Sequence, residues 1–180
     1  AELIRNHFPD AAGAFARVYY PPVSVVISAY QRADVVHKLD GFGALHNQLE
    51  STNTLGTIFS SSLFPDRCPE DQVLLTTFVG GSLHPKNAEA SDEILREMVI
   101  ADHKKFLGAR QNPVFQRIIR WPRAIPQYDN AIVPAHDHAQ ALTQHQLYFG
   151  GNWMHGISVP SCLEHAQNLC AQLLPTSPTN

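Results

Sequence analysis

The sequence predicts an α+β fold: a mixed or antiparallel sheet with a covering helix, followed by a closing strand-loop-helix unit. Three observations predict it. Val23-Ser24-Val25-Val26-Ile27-Ser28-Ala29-Tyr30 is a β-branched run fenced by Pro21-Pro22 and a polar stretch, the strongest strand signal in the chain. Between Ser91 and Gly108, the apolar residues Ile94, Leu95, Met98, Val99, Phe106 and Leu107 recur at the helical period. From Tyr148 to Cys162 an apolar pair runs through Gly150-Gly151 and Gly156 into a proline-started segment.

Taken in order, residues 3–16 carry a weak helical pattern that Pro9 must either begin or interrupt. The strand at Val23–Tyr30 follows. Two more strands are predicted at Leu55–Ser61 and Val73–Val79, because both runs are short, apolar and bounded by Asn, Pro, Asp or Gly. Ser91 opens the long helix: its hydroxyl suits an orphan amide, and Asp92 and Glu93 sit at the positive end of the dipole. Gly108 suits a left-handed stop. Val114–Trp121 reads as another strand, Leu147–Phe149 as a short buried one, and Pro160–Leu174 as a final helix. The residues after Leu174 read as a polar, proline-rich tail that frays.

With 180 residues, 44% hydrophobic and 16% charged, the chain can bury a core, and its composition is not that of a disordered polypeptide. A net charge of −3 without a dense basic cluster gives little attraction for phosphate backbones, so nucleic acid is excluded as a partner. No apolar run approaches the ~20 residues of a bilayer-crossing helix. Cys68, Cys162 and Cys170 are odd in number and at no metal-ligand spacing, which fits a reducing, cytoplasmic setting, with membrane association at most peripheral. His136-Asp137-His138 and His145 lack a third ligand at zinc spacing and read as solvated histidines. Ser60-Ser61-Ser62 lacks the Gly-x-Ser-x-Gly elbow of a hydrolase.

The glycine-rich turn carries the chemistry. Glycines let backbone approach a ligand closely, and a following helix presents unpaired amides and a positive dipole end to an electron-rich group. Strand-glycine-helix connections are also common without a ligand, and the turn alone does not separate the two readings.

Gly150-Gly151-Asn152-Trp153, then Gly156-Ile157-Ser158-Val159 and Cys162-Leu163-Glu164, resemble the closing flavin motif of the protoporphyrinogen oxidase family, within the amine-oxidase-like flavoproteins. Leu39-Asp40-Gly41-Phe42-Gly43, Leu55 to Pro65, Phe78-Val79-Gly80-Gly81 and Arg120 to Tyr128 agree with that family in order and spacing. The resemblance spans about Tyr20 to Ala171. It implies FAD as cofactor, with Gly156, Ile157 and Ser158 against the flavin, Asn152 beside the ribityl chain and Trp121 close to the isoalloxazine. It implies protoporphyrinogen IX as substrate, with Phe42, Leu55 and Ile58 as pocket walls and Gly43 as backbone beside the rings, and dioxygen as oxidant. As plain core residues, Trp121, Phe42, Leu55 and Ile58 would look the same. Pro160-Ser161 departs from the Gly or Asn followed by Asp more usual in the family, although Ser161 suits a helix cap.

On this basis residues 1–124 are expected to form part of a substrate lobe, with 1–17 assignable to a helix of the flavin lobe. Residues 125–174 close the flavin lobe and 175–180 form a disordered tail. The Gly-x-Gly-x-x-Gly fingerprint that holds an FAD pyrophosphate does not occur in the sequence. The expectation is therefore an incomplete fold, inactive alone, that pairs with an amino-terminal half or a separate chain, or dimerises through exposed strand edges. The rival readings are another flavin oxidoreductase of the superfamily, such as an amine oxidase or carotenoid desaturase, and a non-catalytic subunit.

Overall fold

The structure, a computed structural model, describes residues 1–47 and 52–173, so the predicted tail and Leu174 lie outside the described residues. The elements are α1 (Pro9–Arg17), β1 (Val23–Gln31), β2 (Gly43–Leu45), β3 (Gly56–Ile58), α2 (Ser60–Leu63), β4 (Gln72–Gly80), α3 (Pro85–Ala88), α4 (Asp92–Leu107), β5 (Phe115–Trp121), α5 (Ile132–Ala141) and α6 (Val159–Leu173). Two compact units result, one of residues 21–124 and one of residues 1–20 with 125–180.

In the unit of residues 21–124 the strands form one sheet in the order β2-β3-β4-β1-β5, and every pairing is antiparallel. Burial alternates along β1 and β4 because successive side chains point to opposite faces. One face carries Val26 and Val79, which pack with Leu95 and Val99 of α4. A second cluster, with Tyr30, Val73, Leu75 and Leu107, continues the core toward the other end of the helix. The covering helix matches its expected limits: the Ser91 hydroxyl accepts from the Ile94 amide at 3.4 Å, and Gly108 closes it at φ 63°.

A polar network lies inside this core. His103 is 1% exposed, with Nδ1 at 3.0 Å from the Tyr30 hydroxyl and Nε2 at 2.8 Å from the Thr77 hydroxyl. A neutral imidazole has one donor and one acceptor nitrogen, and hydroxyls complement either tautomer. Burial pushes the His103 pKa down to about 4, opposed by neighbouring Asp102 and reinforced by His46, while burial raises the Tyr30 phenol. An unfolded histidine titrates near ~6.5, so this stability is fully present above that pH and is lost as pH falls toward about 4. The expected loss is on the order of 3 kcal/mol. Urea midpoints measured near neutrality and near the lower pKa should therefore diverge more for the native chain than for His103→Gln. An equal divergence would place the acid sensitivity elsewhere.

In the other unit α1 packs on α5 through Val18, Ile132 and Ala135, with Phe15, Tyr20 and Trp153 around them. Pro9 begins α1, as its fixed φ and missing N–H allow. Three expectations need correction. Residues 147–149 form no strand: the Leu147 amide turns back to the Leu142 carbonyl, and the Phe149 carbonyl accepts from the His165 side chain, so the backbone groups go to a turn and a side chain rather than to a ladder. The strand expected over Leu55–Ser61 shortens to Gly56–Ile58, because Ser60 to Leu63 coil into α2 and the Ser60 and Ser61 hydroxyls bond Thr76 and the Leu74 amide. His136, read as a solvated histidine, is half-buried within α5 with Nε2 2.6 Å from the Trp153 carbonyl.

Candidate functional site

Directly opposed residues of an antiparallel pair share a face, so the register of the sheet can be read as rows. Arg117, Ile27, Thr76, Ile58 and Gly43 form one row on the face turned from α4. Ile119, Val25, Phe78, Gly56 and Leu45 form the next, and Trp121 stands beside Val23 in a third. With strands about 4.8 Å apart, five strands give this face a width of roughly 19 Å. Its side chains are mostly apolar and half-buried or exposed; Leu45 is 93% and Trp121 54% exposed. That contrasts with the α4 face, where the β1, β3 and β4 positions Ser24, Val26, Ser28, Thr57, Thr77 and Val79 are buried.

The edge of this face is built by close approach. A Cβ on Gly43 would run into the Thr57 carbonyl and lie 3.0 Å from the Ile58 Cα, so β2 meets β3 only with glycine there. Leu55 continues β3 outward, its amide donating to the Phe78 carbonyl at 2.8 Å and its side chain lying over Gly81. Phe42 is 69% exposed, and its carbonyl accepts from the Phe59 amide.

The second candidate surface is the turn from Phe149 to Ser158, in the unit that contains α5 and α6. His165 Nε2 lies 3.2 Å from the Phe149 carbonyl, and His136 Nε2 lies 2.6 Å from the Trp153 carbonyl. The Tyr128 hydroxyl donates to the Asn152 carbonyl at 2.9 Å and accepts from the Gly156 amide at 2.8 Å. Gly151 and Gly156 have φ of 128° and 130°, values that L side chains rarely adopt. A Cβ on Gly156 would also sit 2.9 Å from the Ser161 Cβ. Ser158 caps α6: its hydroxyl accepts from the Ser161 amide at 3.1 Å, so the cap expected from Ser161 moves three residues earlier. Among the described residues, the Ile157 and Ser158 N–H groups donate to no acceptor. Loss of solvent first, then the nearness of His165 and His136, holds His155 below the ordinary histidine range. A cleft of about 680 Å³ borders the turn between α5 and α6, lined on the α6 side by Ser161, Glu164, His165 and Asn168, and no residue of α6 is buried.

Two units therefore carry two surfaces: an apolar sheet face, and a glycine turn feeding a helix whose first amides are open. Residues 2–174 match the family described as flavin containing amine oxidoreductase. The chain belongs to that family.

Within it, the chain is 38% identical over 172 residues to the mitochondrial protoporphyrinogen oxidase of Nicotiana tabacum, covering 93% of this chain and 34% of the relative. It is 35% identical over 176 residues to protoporphyrinogen oxidase 1, chloroplastic, of Arabidopsis thaliana, covering 91% and 33%. The chain thus spans about a third of the length of the curated relatives it matches. A crystal structure of a protein from Exiguobacterium sp. 255-15, provisionally named a protoporphyrinogen oxidase, superposes with TM-score 0.72 at 21% identity, covering 96% of this chain and 39% of that one, and shows a shared fold. Among the described residues no helix is long and apolar enough to cross a membrane.

Against this family frame, the structure brings Gly43, Ile58 and Trp121 onto one sheet face, with Phe42 and Leu55 at its edge. Asn152, Gly156, Ile157 and Ser158 lie together in the closing turn of the other unit. Gly156 does not fit one detail of its expected role, because its amide is already given to Tyr128. Sequence reasoning missed Leu45, Phe78, Val25 and Ile119, which share the sheet face. The period-2 alternation of β1 held the signal for Val25; the others needed the register.

Proposed function

We propose that this chain supplies the porphyrinogen-facing sheet and the flavin-closing turn of an FAD-dependent oxidase that converts protoporphyrinogen IX to protoporphyrin IX, with dioxygen as final oxidant. The apolar sheet face carrying Gly43, Ile58 and Trp121 is the observation behind it, since a flat apolar macrocycle needs aromatic and aliphatic walls. The similarity to protoporphyrinogen oxidases across more than nine-tenths of the chain supports the same reading.

The turn fits a flavin on the chemistry of its donors. The open Ile157 and Ser158 amides sit at the positive end of α6, where they suit the negative charge of a reduced flavin ring, and the Asn152 segment beside them suits the ribityl chain. When bound, FAD supplies the hydride acceptance. Phe42, Leu55 and Ile58 then hold the macrocycle and keep water from it, Gly43 lies beside it, and Trp121 screens the flavin side. No side chain is assigned as an acid or base. The remaining dinucleotide-binding part would come from a separate segment or chain, and the free thiols Cys68, Cys162 and Cys170 suit a reducing, cytoplasmic setting, peripheral to a membrane at most.

The reading is tested by fusing the chain behind the dinucleotide-binding segment of the tobacco mitochondrial relative. After desalting with FAD, the fusion should keep a visible flavin band and generate porphyrin fluorescence from protoporphyrinogen IX. Trp121→Ala or Phe42→Ala should slow that turnover by about tenfold, the effect of ~1.4 kcal/mol in the barrier. A folded fusion that holds flavin yet leaves protoporphyrinogen untouched would overturn the substrate assignment, and one that holds no flavin would overturn the cofactor assignment.

A further inference from the structure

We propose that Tyr128 is the positioning residue of the closing turn, and that its hydroxyl, rather than the glycine sequence alone, fixes which amides the turn offers to a flavin. The inference rests on the flavin reading of that turn. Its hydroxyl is the one side-chain group among the described residues that bonds both limbs of the loop: it donates to the Asn152 carbonyl and accepts from the Gly156 amide. The two backbone groups are four residues apart, so one oxygen pins the chain on either side of Trp153-Met154-His155 and closes the loop on itself.

The consequence is a division of labour among three successive amides. Gly156 N–H is occupied by Tyr128, so the direction of the peptide that follows is set before any ligand arrives, and the Ile157 and Ser158 N–H groups remain open at the start of α6. The left-handed φ of Gly156, and the Ser161 side chain standing where a Cβ on residue 156 would go, require glycine on the far limb. The Cys162 thiol, 3.7 Å from the Gly156 carbonyl, and the Ser158–Ser161 hydroxyl pair at 2.7 Å secure the same corner. On the near limb the Tyr128 ring stands edge-on to His136, which itself reaches the Trp153 carbonyl, so ring and hydroxyl act at separate points. Removing only the hydroxyl isolates the clamp from the packing.

The test is Tyr128→Phe in this chain, with site-resolved amide exchange by NMR. Tyr128 is 50% exposed, so the variant keeps its fold. Gly156 exchange should accelerate about tenfold or more, the effect of losing ~1.4 kcal/mol of local protection, while amides of β1 and β4 exchange unchanged. Tyr128→His with its ring nitrogen should restore part of the protection. Unchanged Gly156 exchange in folded Tyr128→Phe would overturn the proposal. The flavin reading is checked separately by adding FAD to the native fusion described above: slowed exchange at Ile157 and Ser158 supports it. Slowing of equal size in the Tyr128→Phe fusion would show that the clamp does not set the amides.

Discussion

Replacing Asp102 with alanine lowers the unfolding free energy by about 4 kcal/mol, read as a fall in the urea midpoint at unchanged slope. The carboxylate is 2% exposed and is the common acceptor for the loop entering β3. Oδ2 takes the Thr54 amide at 2.9 Å, the Asn53 amide at 3.0 Å and the Thr54 hydroxyl at 2.8 Å, and Oδ1 takes the Asn53 side-chain amide at 3.2 Å. Because the Thr54 hydroxyl gives its proton to Asp102, it accepts from His46 Nδ1 at 2.7 Å, and His46 stacks on Phe106 with ring centroids 4.6 Å apart. Alanine would leave buried donors without an acceptor, which costs more than a hydrogen bond contributes when made. Asp102→Asn keeps an acceptor oxygen and should lose about half as much. A loss below ~1 kcal/mol for Asp102→Ala would mean that water replaces the carboxylate and that the loop is not held from α4.

The second large effect is expected at the end of β4. Gly80→Ala should destabilise by about 3 kcal/mol, combining backbone strain with overpacking. Gly80 has φ 107°, and its added Cβ would overlap the Ala88 Cβ and lie 2.9 Å from the Pro22 carbonyl. The Ala88→Gly partner change makes the two causes separable. It removes the side-chain overlap and leaves φ and the Pro22 contact as they are, so the double variant should be more stable than the sum of the single losses. Strict additivity would put the whole effect in the backbone. A near-neutral Gly80→Ala would show that β4 and α3 can separate without consequence for the sheet.

Both sites bear on what the sequence made legible. β1, β4 and α4 were readable because their signals are local: β-branched alternation, a serine cap with two following carboxylates, and a glycine in the left-handed position. The three-residue β2 was not, since its strand character comes from pairing, and β3 was readable but not its end, because the serines after Ile58 prefer to bond β4 from a turn. α5 escaped notice because it begins without a side-chain cap and carries Pro134 and two histidines in its first turns. The strand expected at Leu147 failed for the opposite reason, an apolar pattern with no ladder to join. At the candidate site the residue types were visible, but not the face they occupy, and nothing in Gly156 or its neighbours reveals that a tyrosine 28 positions earlier takes its amide.

Asp102 and His103 are consecutive on α4 yet point about 100° apart, as helix geometry requires. One reaches the loop that enters β3, next to the edge strand β2, while the other reaches Tyr30 and Thr77 in β1 and β4. A single helical turn therefore acts as a splint across the sheet. Strands as short as β2 and β3 would by themselves fray first, but here they can open only when the helix lifts from the centre. The rim and the middle of the sheet become one cooperative unit, so the rim carrying Gly43 and Ile58 keeps its shape for as long as the core does.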